Sequence, residues 1–382
     1  MEEINNTNTA QQNFENNVMN AIMGKTSTPV VSDSLTKDLG FHQFDGNVSV
    51  KEVMQQIGAD FTVSKQHLIR IDDDIYNRIL TGEIVDTPIS IEKVIESHCA
   101  TVNERDDQTL GVVGKDYGVI QNADGLAILD LVTNSSVMGR ELKIVSAGIV
   151  HNSDPYVQVM LPKDGISPRI TGDNSDTEFY AFFHTSHDGS SSLKVSFTAT
   201  RIICQNTFLR NLYSKEGFIV THRKNADKRV DLTDKKNVER VKKLVEKINF
   251  FEKDYVEKMN YLAKLPVTEK EIDKYIAKLI VPEALKDVAK QHDYDINLIS
   301  GLSTRARNQF AAMKDTIESG IGQDTNRGTR LMVFNGITNY YSHKNHGDKK
   351  DSATTRAEKR LKSFFGGDTH NKEAEALAML VA

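Results

Sequence analysis

Between residues 234 and 265 the apolar positions Val238, Val241, Leu244, Val245, Ile248, Phe251, Tyr255, Met259 and Leu262 fall three or four apart, the repeat of a long amphipathic helix. Pro266 closes it, and Thr268 with Glu271 supplies the capping box of a second helix running to Leu279. Ahead of these the period falls to two. Residues 61–70, 142–150, 156–161, 178–185 and 193–200 read as strands, with turn-rich joints at 152–155, 163–168 and 187–192. Residues 108–120 read as two strands, or one bent strand, about Gly114, Lys115 and Asp116. A short helix behind a Ser cap is predicted at 48–56, and another from about residue 122 carries Leu126, Ile128, Leu129 and Val132. Beyond the last strand, residues 201–212 change to a helical pattern with Phe208, Leu209 and Leu212. Residues 326–341 predict a helix entered through Gly328, 344–362 are polar, basic and predicted flexible, and 372–381 predict a short helix.

The expected fold is α+β. A curved antiparallel sheet with a packed helix occupies residues 40–230, followed by a helical domain with a basic loop at 234–368 and a short C-terminal helix at 369–382. Residues 1–37, rich in Asn, Thr, Gln and Ser, hold too little apolar material to offset the entropy of ordering and predict a disordered N-terminal arm.

A chain of 382 residues with 38% hydrophobic and 26% charged residues is long enough for two packed units plus a tail. Its two cysteines, Cys99 and Cys204, fit neither a zinc site nor a disulfide framework and point to a reducing compartment. The acidic, amide-rich start is unlike a secretory signal, and nothing approaches the roughly 18 apolar residues of a membrane span. A cytoplasmic protein without membrane attachment is therefore expected. The net charge of -5 is segregated: residues 188–229 carry +5 and 327–362 carry +6, leaving -16 for the rest. Such basic stretches suit phosphate binding if they form a patch in space, and are ordinary solvated faces if they do not.

No Walker loop, nucleotide-binding glycine fingerprint, nucleophile elbow or zinc-protease helix occurs, so the chain shows no catalytic motif and calls for no cofactor. The densest polar constellation is His184, His187 and Asp188, then Arg201, Cys204 and Asn206, then His222 and Arg223. His184, His187, Asp188 and His222 form a candidate metal set, with locally hydrogen-bonded histidines as the alternative. Cys204 beside Arg201 is either an activated thiol or a buried structural cysteine between apolar neighbours. The Asp72–Asp74 run and Asp106, Asp107 and Asp116 read as turn or helix-start chemistry before cation ligands. Basic residues interleave with aromatics at Phe197, Arg201, Phe208, Arg210, Tyr213 and Lys215, and again at Phe334, Tyr340, Tyr341, His343 and Lys344. Aromatic faces stack on bases while cations follow phosphates, although core packing explains many such aromatics.

Five segments in order, LGVVGKDYGVIQNADGLAILD, AFFHTSHDGSSS, TATRIICQNTFLRNL, the Thr221–His222 pair and GTRLMVFNGITNYYSHKN, resemble the phage/plasmid-like protein family carrying domain of unknown function 932. The resemblance covers residues 40–368; where the family reads Ala and Asp, this chain has Gly336 and Ser342. The family has no settled activity, and its context of phages, plasmids and bacterial hosts implies recombination or replication. By analogy of element order it is similar to phage single-strand annealing proteins.

The leading expectation is an ATP-independent single-stranded DNA binder or annealer that forms homo-oligomers. Lys194, Arg201, Arg210, Lys215, Arg223, Lys224 and Arg330 would contact phosphate, and Phe197 or Tyr213 would stack on bases. One alternative is a metal-dependent nuclease or nucleotide-modifying enzyme using His184, His187, Asp188 and His222. The other is a non-catalytic module binding a host protein through the helix at 234–265.

Overall fold

The computed structural model describes residues 39–44, 48–82, 94–133, 143–150, 154–161, 170–173, 175–201, 206–210, 219–344, 350–366 and 368–382. The predicted N-terminal arm, Cys204, Tyr213 and Lys215 lie outside them.

The elements run β1 (His42–Gln43), α1 (Val50–Ile57), β2 (Val63–Ile69), α2 (Asp73–Leu80), β3 (Val94–Asn103), β4 (Gln108–Gly114), α3 (Asn122–Thr133), β5 (Lys143–Val150), β6 (Asp154–Leu161), β7 (Thr177–His184), β8 (Leu193–Arg201), β9 (Asn206–Arg210) and β10 (Ile219–Val220). Helices follow: α4 (Lys235–Leu262), α5 (Glu269–Ile280), α6 (Lys286–Gln291), α7 (Thr304–Ser319), α8 (Arg330–Asn339), α9 (Ala353–Gly366) and α10 (Asp368–Val381). The fold is α+β, with two antiparallel sheets among the described residues and a helical C-terminal region. The large sheet has the order β1-β5-β6-β7-β8-β10, with β9 also paired to β8, and the small one the order β2-β3-β4.

Alternation explains the large sheet. On β7, Phe179, Ala181 and Phe183 face one apolar cluster, while Tyr180 and Phe182 between them face a second. α4 covers the first face, where Phe251 packs edge-on to Phe179 and stacks on Phe197. Its apolar stripe, Val241, Leu244, Phe251, Tyr255, Met259 and Leu262, is buried within the chain, so that stripe is not free for a host protein. The first cluster reaches from Phe44 to Leu380; the sheet and the helices share one core across residues 230–234.

Local chemistry sets the helix starts. Ser49 with Glu52, and Thr268 with Glu271, close reciprocal capping boxes at α1 and α5. Asp234 caps α4 through the Lys236 amide, and the Asp run at 72–74 opens α2. Gly336 sits in the middle of α8 because a Cβ there would lie 2.5 Å from the Cα of Ile317 on α7.

Two expectations are corrected. Within 201–212 a helix was predicted, but residues 206–210 form a strand in register with β8, Arg201 opposite Asn206 and Phe197 opposite Arg210. Its few apolar residues fit either period, and the free edge of β8 decides. Within 344–362, predicted flexible, α9 forms: Ser352 accepts from the Thr355 amide, and Ala357 and Leu361, one turn apart, seat on the second sheet face beside Tyr180 and Phe182. Among the described residues no helix is long and apolar enough to cross a membrane.

Candidate nucleic-acid interface

The small sheet meets the large one through backbone contacts that leave no room for side chains. A Cβ on Gly111 would lie 2.5 Å from the Cα of Asp188, and one on Gly118 would lie 2.1 Å from the carbonyl oxygen of Arg223. Two segments are thereby held against β4 and the strand-like stretch after it: the 185–192 turn between β7 and β8, and residues 221–226 after β10. Tyr117 and Arg223 form an isolated antiparallel bridge, and the Gly118 amide donates to the His222 carbonyl at 3.2 Å.

Buried polar groups lock this junction. Thr101 Oγ1 donates to the His187 carbonyl at 2.6 Å and the Tyr117 hydroxyl to the Ser186 carbonyl at 3.0 Å. Asn122 turns its amide toward Ala59 O (2.9 Å), which leaves its oxygen to accept from His187 Nε2 at 2.7 Å. His222 Nδ1 faces the Gly118 carbonyl at 3.1 Å and so carries the proton, while Nε2 accepts from the Thr185 hydroxyl at 3.2 Å.

Burial at this junction disfavours the charged form of the three histidines. Burial pushes His184 down to about 3, helped by Lys194 and His222, and His187 down to about 4, helped by His222; Asp188 opposes both shifts. Burial also lowers His222 against the hydrogen bond to Gly118, and lowers the Lys194 ammonium. Burial would raise Asp188, but hydrogen bonds led by that from Ser190 outweigh it and hold the carboxyl low. A histidine whose folded pKa lies below its unfolded value lets the unfolded chain take up protons first, so stability is full above about pH 6.5 and is lost as pH falls. We expect a loss of about 3 kcal/mol from His187 alone by about pH 4, most of it above pH 4.5. Urea midpoints at about pH 7.5, 5.5 and 4.5 measure it; a flat profile would rule out neutral buried histidines.

Both His222 nitrogens and His187 Nε2 are engaged by protein groups, and among the described residues no group of three or more His, Cys, Asp or Glu could hold a metal ion.

On the outer side of the junction two adjoining clefts open, about 460 Å³ and 960 Å³, sharing Gly114, Tyr117, His222 and Arg223. Their floor is Tyr117, stacked on His222 with centroids 4.8 Å apart and planes within 6°. Lys115, Lys194, Arg223 and Lys224 line the clefts with Glu96, Asp116 and Asp188. Lys65 Nζ donates to the carbonyls of Lys115 and Tyr117, 3.1 and 3.0 Å away, and fixes the loop carrying both.

Of the cations proposed from sequence, Lys194, Arg223 and Lys224 converge here, the latter two exposed. Arg201 does not. It is buried, its Nε and Nη2 gripping the two Asp173 oxygens at 2.6 and 2.7 Å, with Nη2 also donating to Gly322 O and Thr325 Oγ1. Arg330 donates to Leu380 O at 2.7 Å and lies over the Tyr275 ring, joining three helices. Arg210 is placed by its backbone alone. Phe197, Phe334, Tyr340 and Tyr341 are buried in the core, so Phe197 offers no face to a base. Sequence reasoning missed Tyr117 and Lys115 as site residues; the signal was a cation and an aromatic within the turn at Gly114–Gly118.

The chain is thus an antiparallel α+β protein with an aromatic-floored groove, lined by four cations and three carboxylates, where the two sheets meet. The family described as Domain of unknown function (DUF932) matches residues 109–365, about two thirds of the sequence, and the chain belongs to it. Tyr117, Lys194, His222, Arg223 and Lys224 all lie within the match. No curated protein and no solved structure matches the chain.

Proposed function

We propose that this is a phage- or plasmid-type DNA-binding protein that holds single strands for recombination or replication, and anneals them as a homo-oligomer without ATP. The observation that carries this reading is the convergence of Lys115, Lys194, Arg223 and Lys224 around the Tyr117–His222 stack. A half-exposed phenol backed by a neutral imidazole presents one face to an unpaired base, and stacking of this kind tolerates any sequence. The cations reach phosphates on either side. A duplex keeps its base faces covered, so the floor selects single strands.

Binding to labelled single- and double-stranded oligonucleotides across roughly 50 to 200 mM salt tests it. The wild type should prefer single strands and weaken steeply with salt. Arg223→Ala with Lys224→Ala should reduce the slope of log affinity against log salt by about 1.4, two single-strand phosphate contacts at about 0.7 each. Tyr117→Leu should lose about tenfold in affinity with the slope unchanged, because it removes stacking and no charge. Equal slopes in the wild type and the double variant would remove the groove from the binding surface.

A further inference from the structure

A second cation-lined cavity, about 410 Å³, opens in the helical region between α7, α10 and a π-helical turn at Tyr340–Lys344 that continues α8. Arg305, Asn308, Gln309 and Ala312 line it from one face of α7, Tyr340, Tyr341 and Lys344 from the π turn, and Lys372 from α10. Three cations, two amides and two phenols surround it, and no carboxylate is among these lining residues.

The neighbouring cavity of about 630 Å³ differs in carrying carboxylates within its own lining. There Lys270, Lys274, Arg307 and Lys314 face Asp273, Asp293 and Asp295 across the same space. Lys270 and Lys274 pair with Asp293, and Lys314 with Asp273, so those charges neutralise one another within the cavity. In the smaller cavity Lys344 pairs with Asp315 at 2.6 Å, and Lys372 with Glu375 at 2.8 Å and the Leu279 carbonyl at 2.9 Å, so the uncompensated charge among its lining residues is that of Arg305. These contacts fix the ammonium groups in place. Arg305 is exposed and pairs with no carboxylate among the described residues. A guanidinium fork, two placed ammonium groups and amide donors suit a group with several anionic oxygens.

We infer that this cavity binds a phosphate group, from a free nucleotide or from a nucleic-acid backbone, at a site separate from the groove. The reading does not depend on the groove's function, since the two sites share no residue.

Calorimetric titration of the full-length protein with pyrophosphate tests it. The wild type should bind, and Arg305→Ala should weaken binding by about tenfold, as expected for loss of a charge-assisted bidentate contact. Arg305 carries no internal contact whose loss would unfold the protein, and an unchanged melting temperature confirms that. Arg223→Ala with Lys224→Ala should leave pyrophosphate affinity unchanged whether or not the groove binds DNA. Displacement of pyrophosphate by a nucleoside diphosphate but not by an oligonucleotide without terminal phosphates marks a free nucleotide as the source; the reverse marks a strand backbone. No pyrophosphate binding by the wild type, or equal affinity in Arg305→Ala, overturns the site.

Discussion

Replacing Arg201 by alanine is expected to lower stability by about 3–5 kcal/mol, the cost of stranding a buried charge without its partner. The Asp173 side chain is fully buried and that of Arg201 is 3% exposed. Asp173 also accepts from the Ser175 amide at 2.9 Å, but Arg201 supplies its only ionic partner among the described residues. The guanidinium binds Gly322 and Thr325 as well, so the loss loosens the joint between β8 and the segment leading into α8. Against a typical total of about 5–15 kcal/mol, that is a large share of the stability. Urea unfolding of Arg201→Ala measures the loss, and Arg201→Met with Asp173→Leu should recover most of it, because a buried pair replaced by apolar residues of similar size is often neutral. A variant of wild-type stability that binds DNA weakly would instead put Arg201 on the binding surface.

Arg201 also shows where the sequence misleads. It belongs to the same basic run as Lys194, and charge counting treats the two alike. They are seven apart on one strand, however, so the alternation of side chains sends them to opposite faces. Phe197, four residues from Arg201, shares its inward face, which is why the predicted stacking aromatic is wholly buried. Most strands and the longest helix, α4, were legible because apolar periodicity repeats over many residues, and the Thr268–Glu271 capping box because it is local, but the sixteen-residue α7 went unread. β9 and α9 were not, since their few apolar residues take meaning only from a sheet edge and a sheet face supplied from elsewhere. β3 went unread because the polar residues of its exposed first half hide the pattern of its buried second half. The site was half legible. The linear run containing Lys194, Arg223 and Lys224 was visible, but the floor comes from Tyr117, more than a hundred residues before His222, and only packing brings them together.

The Gly118→Ala variant tests that packing directly, and should lose both stability, by about 2–3 kcal/mol, and single-strand affinity. An alanine Cβ would sit 2.1 Å from the Arg223 carbonyl oxygen and 3.0 Å from the Ala226 amide nitrogen. These are backbone atoms, so no rotamer change relieves the overlap and residues 221–226 must move away. That motion pulls His222 from the Gly118 carbonyl, breaks the bridge between Tyr117 and Arg223, and unstacks the floor of the groove. Gly114→Ala is the matched control. It lines both clefts, yet a Cβ there meets nothing within 4 Å, so stability and affinity should stay near wild type. Denaturation and oligonucleotide binding on the two variants separate the possibilities. Gly118→Ala of normal stability and affinity would mean that the sheets do not meet as described. Lower stability with intact affinity, measured where the variant is fully folded, would place the nucleic-acid surface elsewhere, because every cation assigned to the groove depends on the junction that Gly118 permits.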